Sequence, residues 1–139
     1  MIFLDTHVLI WMASDPKRLS KKAREAIRHE REKDGREKGA REKTGVAIAA
    51  ITLWELAWLA ENGRIQVVGS VESFVRETAS RVMVQPITPE IAAFAVELPS
   101  SFPKDPADRL IAATAMVEGA PLVTADERIR QAKLVQTIW

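Results

Sequence analysis

The sequence predicts an α/β fold in three layers, with helices on both faces of a central parallel sheet of four to five strands. Three observations carry this. Short apolar runs of strand length recur at Met1 to Leu4, Val46 to Ile51 and Leu122 to Thr124, and they read as continuous rather than alternating, as strands covered on both faces do. Helix-length segments opened by Ser, Thr or Asp and closed by Gly or Pro lie between them. Finally, 139 residues with 47% apolar side chains suffice for one domain with a sizeable core, so a single domain over 1–139 is expected.

Taken in order, Met1 to Leu4 reads as a buried strand that stops at Asp5, and a helix follows from His7 to Met12. Ser20 is placed to N-cap a second helix, in which Ala23 and Ile27 form a narrow apolar stripe among basic residues. Residues 31–45 then repeat with a period of five, REKDG-REKGA-REKTG. These helix formers are interrupted by Gly35, Gly39 and Gly45, so the tract is expected to be a mobile charged insertion or a frayed helix, not a solenoid repeat. Val46 to Ile51 is a second strand. Thr52 is expected to open the next helix with Glu55 three residues on, a capping-box spacing, and Gly63 to end it. Ser70 caps a helix through Ala79, Val82 to Ile87 is a third strand, and Thr88-Pro89-Glu90 starts a helix that stops by Pro99. Asp105-Pro106 starts a helix ended by Gly119, Leu122 to Thr124 is a fourth strand, Asp126 opens a short helix, and Lys133 to Ile138 is a candidate fifth strand at an edge.

Composition removes whole classes of function. No apolar run approaches the roughly 20 residues that span a bilayer, and the N-terminus lacks the basic lead and small-residue cleavage site of a signal peptide, so a cytoplasmic protein is expected. The absence of cysteine excludes disulfides, thiolate zinc sites and a cysteine nucleophile, and two distant histidines argue against a His-based metal site. Any metal would have oxygen ligands. The net charge of +1 conceals a basic arm, residues 16–45 with 12 Lys/Arg against 6 Asp/Glu, and an acidic remainder with 8 against 13. The arm suits either a solvated helix or attraction of a polyanion.

Asp5 and Glu55 each stand alone in an otherwise uncharged stretch, MIFLDTHVLIWMAS and VAIAAITLWELAWLA. Asp105 and Asp108 in KDPADRLIAATA, and Asp126 in PLVTADERI, adjoin similar apolar segments. Each acid has a local explanation: Asp5, Asp105 and Asp126 suit N-caps, and Glu55 and Asp108 suit first-turn positions that favour negative charge. In a doubly wound sheet, however, helix starts gather outside the carboxyl ends of the strands, where ligands bind. Four or five carboxylates there repel one another unless a cation neutralises them. A hard divalent ion with oxygen ligands, Mg²⁺ or Mn²⁺, is the natural choice.

The segments FLDTHVLIW, ITLWELAWL, DPADRLIAATA and PLVTADERI resemble, in order and spacing, the four acidic motifs of PIN-domain ribonucleases, particularly the VapC-type toxins of prokaryotic toxin–antitoxin systems. Each motif alone is weak; the set covers nearly the whole chain. The resemblance implies a Mg²⁺-dependent endoribonuclease, a homodimer, and inhibition by a small cognate antitoxin through which operator DNA is bound. By motif, Asp5, Glu55, Asp108 and Asp126 match the four acids as catalytic metal ligands. Asp105 is an extra ligand, an outer acid or a cap. The REKDG-type tract departs from the family's usual pattern and bears on the surface that docks RNA.

Other residues carry open alternatives. Thr6 is placed to help the first acid hold metal or meet substrate, or else to satisfy helix N–H groups; His7 suits a helix surface better than a general base. Lys104 and Arg109 flank the third motif as candidate phosphate contacts. Trp54 and Trp58 lie one turn apart on a helix apolar all round, which demands cover from the core, a dimer partner or the antitoxin. A PIN-like RNA-processing nuclease outside any toxin pair is an alternative. A phosphoacceptor module would need paired acids after strand one and an aspartate after the central strand; a haloacid-dehalogenase-like phosphatase would need an aspartate where His7 stands. An inactive protein-binding PIN-like module is a further alternative, against which the intact set of four acids argues.

Overall fold

A computed structural model describes residues 1–34 and 45–139. Five strands, β1 (Ile2–Leu4), β2 (Val46–Ala49), β3 (Met83–Gln85), β4 (Leu122–Val123) and β5 (Thr137–Ile138), form one sheet in the order β3-β2-β1-β4-β5. Every pairing is parallel, with Ile2 beside Val46, Phe3 beside Leu122, Ala47 beside Met83 and Leu122 beside Thr137. The helices are α1 (Thr6–Ser14), α2 (Lys21–Asp34), α3 (Ile51–Glu61), α4 (Val71–Ala79), α5 (Pro89–Glu97), α6 (Pro106–Val117) and α7 (Glu127–Ala132), with a turn of 3₁₀ helix at Pro16–Arg18 between the first two.

The pleat sorts the strand side chains between two cores. Ile2, Leu4, Val46, Ile48 and Val123 face Val8 and Leu9 of α1, Ala23 and Ile27 of α2, Leu56 of α3 and Phe74 of α4. Phe3, Ala47, Ala49 and Leu122 face Ile111, Ala112 and Ala115 of α6 and Ile129 of α7, and α5 packs on α6 through Ile91, Ala95 and Ala113. This double covering is why the strands read as unbroken apolar runs. The chain runs outward from β1 through β2 to β3, then returns to the other side of β1 with β4. A topological switch point, the usual ligand crevice of an open α/β sheet, therefore lies beyond the carboxyl ends of β1 and β4.

The caps agree with the sequence in most places: Ser70 accepts from Ser73 N–H, Thr88 from Ile91 N–H, and Ser20 from Ala23 N–H at 3.1 Å. Gly63 and Gly119 take left-handed φ values of +65° and +64° just after α3 and α6, where a side chain would be strained.

The third helix departs from expectation. It begins at Ile51, a residue before Thr52, behind Ala50, which makes no side-chain cap. There is no capping box, and Glu55 lies beyond the first turn. The fifth strand is also shorter than Lys133 to Ile138, because Lys133 turns left-handed at φ +54° at the end of α7 and only Thr137–Ile138 pairs. Of the repetitive tract, residues 31–34 continue α2, while the expectation of an insertion or frayed helix over 35–44 falls outside the described residues. Among the described residues, no helix is long and apolar enough to cross a membrane.

Ile48 is fully buried in the central layer, whereas Val68 is 97% exposed. Ile48→Ala is expected to cost about 2–5 kcal/mol in denaturant unfolding, and Val68→Ala less than about 0.5 kcal/mol. Equal costs would contradict this packing.

Candidate active site

Asp5 leaves β1 and becomes the N-cap of α1. The residue is 4% exposed, and its carboxylate accepts from the Thr6 N–H at 2.8 Å through Oδ1 and from the Thr124 hydroxyl at 2.7 Å through Oδ2. Thr124, just past β4, accepts in turn from the Asp126 N–H at 3.1 Å. One buried hydroxyl thus joins the carboxylate after β1 to the backbone that begins α7. On the other side, the Thr6 hydroxyl donates to Glu55 Oε1 at 2.5 Å and lies 3.1 Å from the Thr52 hydroxyl. A hydroxyl has one proton to give, so Thr6 accepts from Thr52. Buried Thr6 and Thr52 therefore orient Glu55 from α1 and α3 together.

The remaining acids come from α6 and α7. Asp105 caps α6 through the Ala107 N–H at 2.8 Å, and Asp108 sits in its first turn. Asp126 caps α7 by accepting from the Arg128 N–H at 2.9 Å, and the Arg128 guanidinium also grips the same carboxylate.

The charges of these groups are coupled. Burial pushes Asp108 up to about 7, and the negative charges of Asp5, Asp105 and Asp126 add to the rise against the opposing Arg128. Burial likewise raises Glu55, with Asp5 and Asp105 adding and the Thr6 hydrogen bond opposing. Asp126 moves the other way: burial alone would raise it, but the side-chain and backbone hydrogen bonds of Arg128 outweigh that and hold it below the ordinary carboxylate value. Asp105, although a cap, therefore shares the electrostatics of the set.

A divalent metal fits this donor set by chemistry and charge. The donors are hard oxygens, and a cation would offset both the burial and the mutual repulsion that raise Asp108 and Glu55. Among the described residues, no three His, Asp or Glu side chains already close on a common point, so the fit does not rest on a finished coordination shell.

Several of the expected site residues have specific partners. The Arg109 guanidinium donates to the carbonyls of Ala95, Leu98, Pro99 and Phe102 at 2.8–3.4 Å, tying the end of α5 and the following loop to α6. The buried Thr6 hydroxyl is taken up between Glu55 and Thr52. Glu55 has no capping role. His7 accepts from the Ala125 N–H through Nε2 at 3.0 Å, which turns Nδ1 toward Asp5 Oδ2, 3.6 Å away. Lys104 stays exposed beside Asp105. The sequence reading missed Thr52, Thr124 and Arg128. Each stands inside an acidic motif, but a threonine or arginine beside a helix start reads equally well as a cap or a surface residue.

The sign of the Asp108 shift predicts a pH dependence. A carboxyl raised from 3.8 to about 7 on folding contributes stability that is fully present below about pH 3.8 and is lost as pH rises through about 7. Metal-free protein should lose thermal stability across that window more steeply than Asp108→Asn does, and parallel melting profiles would contradict the crowding described.

Comparison with known proteins identifies the family. The PIN domain family model matches residues 2–134. Ribonuclease VapC22 of Mycobacterium tuberculosis is 46% identical over 140 residues, spanning 99% of this chain and 98% of that protein. Among solved structures, a toxin–antitoxin complex from Klebsiella pneumoniae superimposes with a TM-score of 0.67 at 21% identity, over 100% of this chain and 97% of that one. DNA-bound VapBC from Salmonella typhimurium does so with a TM-score of 0.68 at 20% identity, over 99% and 97%. With a family match over almost its whole length and a ribonuclease relative of this identity, the chain belongs to the PIN-domain family, among the VapC-type ribonucleases.

Proposed function

We propose that this chain is a Mg²⁺-dependent endoribonuclease, with Mn²⁺ as a substitute ion, and that it is the toxin of a VapBC-type pair. The observation that carries the reading is the convergence of Asp5, Glu55, Asp108 and Asp126 on one sheet edge with Asp108 raised to about 7, an arrangement that costs stability unless a cation is held there. The chain reads as one domain over 1–139, with a charged low-complexity tract at about 31–45 whose first four residues belong to α2.

In this reading Asp5, Glu55, Asp108 and Asp126 hold the metal, and Asp105 acts as cap and outer acid. Held by these acids, a divalent ion would supply water activation and charge neutralisation at the scissile phosphodiester. The protein supplies orientation: Thr6 N–H and Thr124 fix both oxygens of Asp5, and Thr6 with Thr52 fixes Glu55, so the acids are held before substrate arrives. Lys104, together with exposed Lys17, Lys21, Lys22 and Arg24, draws in the RNA backbone.

A small antitoxin is the natural partner for a chain so like members of VapBC complexes, with operator DNA reached only through it. A homodimer accounts for Trp54 and Trp58, which are 60% and 45% exposed on one side of α3 despite their apolar surface. The cytoplasm is the compartment where such a toxin meets RNA.

Asp5→Asn and Asp108→Asn should each lower Mg²⁺-dependent cleavage of a structured RNA panel by at least about a hundred-fold, the upper end of losses seen around metal sites, with unchanged circular dichroism. Wild-type cleavage persisting in a chelator would sink the metal mechanism. Trp54→Glu/Trp58→Glu should sediment as a monomer where the wild type is a dimer, and an unchanged dimer would place the interface elsewhere.

A further inference from the structure

Arg128 takes no part in the chemistry proposed above, yet among the described residues it is the one Lys or Arg that ion-pairs with the acid set. Its position is dictated locally. Asp126 caps α7 by accepting the Arg128 N–H at 2.9 Å, which fixes the root of the side chain two residues from the carboxylate. From there Nε approaches Asp126 Oδ1 at 3.4 Å and Nη2 approaches Asp126 Oδ2 at 3.1 Å, a side-on grip that engages both oxygens. The same Nη2 lies 3.6 Å from Asp108 Oδ2, so one guanidinium spans two helices and two acids.

A carboxylate whose two oxygens both face a guanidinium is a poor metal donor, and a fixed positive charge at this distance repels a dication. Arg128 is nevertheless easy to move. Its side chain is 69% exposed, and an ion pair open to water holds only weakly. Arg109 on the neighbouring helix shows the contrast: both its Nη atoms donate to carbonyls, four in all. The cap made by the Arg128 N–H does not depend on where the guanidinium points, so α7 keeps its start when the side chain leaves.

We propose that Arg128 is the resident counter-ion of the carboxylate set: a positioning residue that draws Asp126 and Asp108 together in the metal-free protein and is displaced when a divalent ion binds. This rests on the metal-dependent reading above. Metal affinity is then lower than the bare acids would give, because each binding event must first break the Arg128 contacts. The side chain stays tethered at the rim and returns when the metal departs.

Calorimetric titration with Mn²⁺ at pH 8 tests this in wild type, Arg128→Gln, Arg128→Lys and Asp5→Asn. Arg128→Gln should bind Mn²⁺ about three- to five-fold more tightly than wild type, the range set by the worth of an exposed pair, and Arg128→Lys should fall between them. A tightened Kd cannot come from a damaged fold, which would weaken binding. Arg128→Gln with an affinity equal to or below that of a binding wild type would overturn the counter-ion role alone. Wild type without a binding isotherm, or Asp5→Asn binding as tightly as wild type, would overturn the metal-dependent function and this inference with it.

Discussion

Everything at the working edge of this protein depends on how one buried carboxylate is satisfied. Asp5 ends the central strand at the switch point and is nearly inaccessible to water. A buried charge of that kind costs several kcal/mol unless it is hydrogen-bonded. Its two oxygens are met by the first N–H of α1 and by the Thr124 hydroxyl, which fixes where β1 hands over to α1 and where β4 hands over to α7. Among the described residues, no buried side-chain polar atom lacks a partner. The site is preorganised by the same bonds that make its burial tolerable.

The acids serve two purposes from one place. A parallel sheet sends helix N-termini to its carboxyl edge, and each N-terminus has unpaired N–H groups that a short acidic side chain satisfies. Asp5, Asp105 and Asp126 do this, yet capping uses only part of a carboxylate's capacity to accept. What remains is negative charge in a confined space, which adds to the effect of burial in raising Asp108 and Glu55. In the proposed reading, function is built from a structural necessity carried beyond what stability alone would select.

Two arginines near this edge show how context divides one residue type. Arg109 closes the end of α5 against α6 and belongs to the scaffold. Arg128 reaches the carboxylates from a solvent-exposed stem and belongs to the site's charge balance. Their flanking sequences, ADRLI and DERIR, offered no way to tell them apart. The distinction lies in what the neighbouring helix presents: carbonyls at the end of α5 in one case, acids in the other.

The sequence by itself determined the layered fold, the order of strands and helices, and the edge at which the acids collect, because unbroken apolar runs, cap residues and glycine stops are local signals tied to backbone geometry. Asp5, Asp105, Asp108 and Asp126 were legible for the same reason, each adjoining a strand end or a helix start. Only the tertiary structure decided that Glu55 hangs from the Thr6 hydroxyl and caps nothing, that Thr52 and Thr124 are the bridges, that Arg109 is spent on carbonyls, and that β5 shrinks to Thr137–Ile138. Those outcomes are hydrogen bonds and pairings between residues in different elements, from 11 positions apart for Arg109 and Leu98 to 119 for Asp5 and Thr124. No local propensity encodes which of several possible partners a hydroxyl or a guanidinium will meet; that is settled when the helices pack on the sheet.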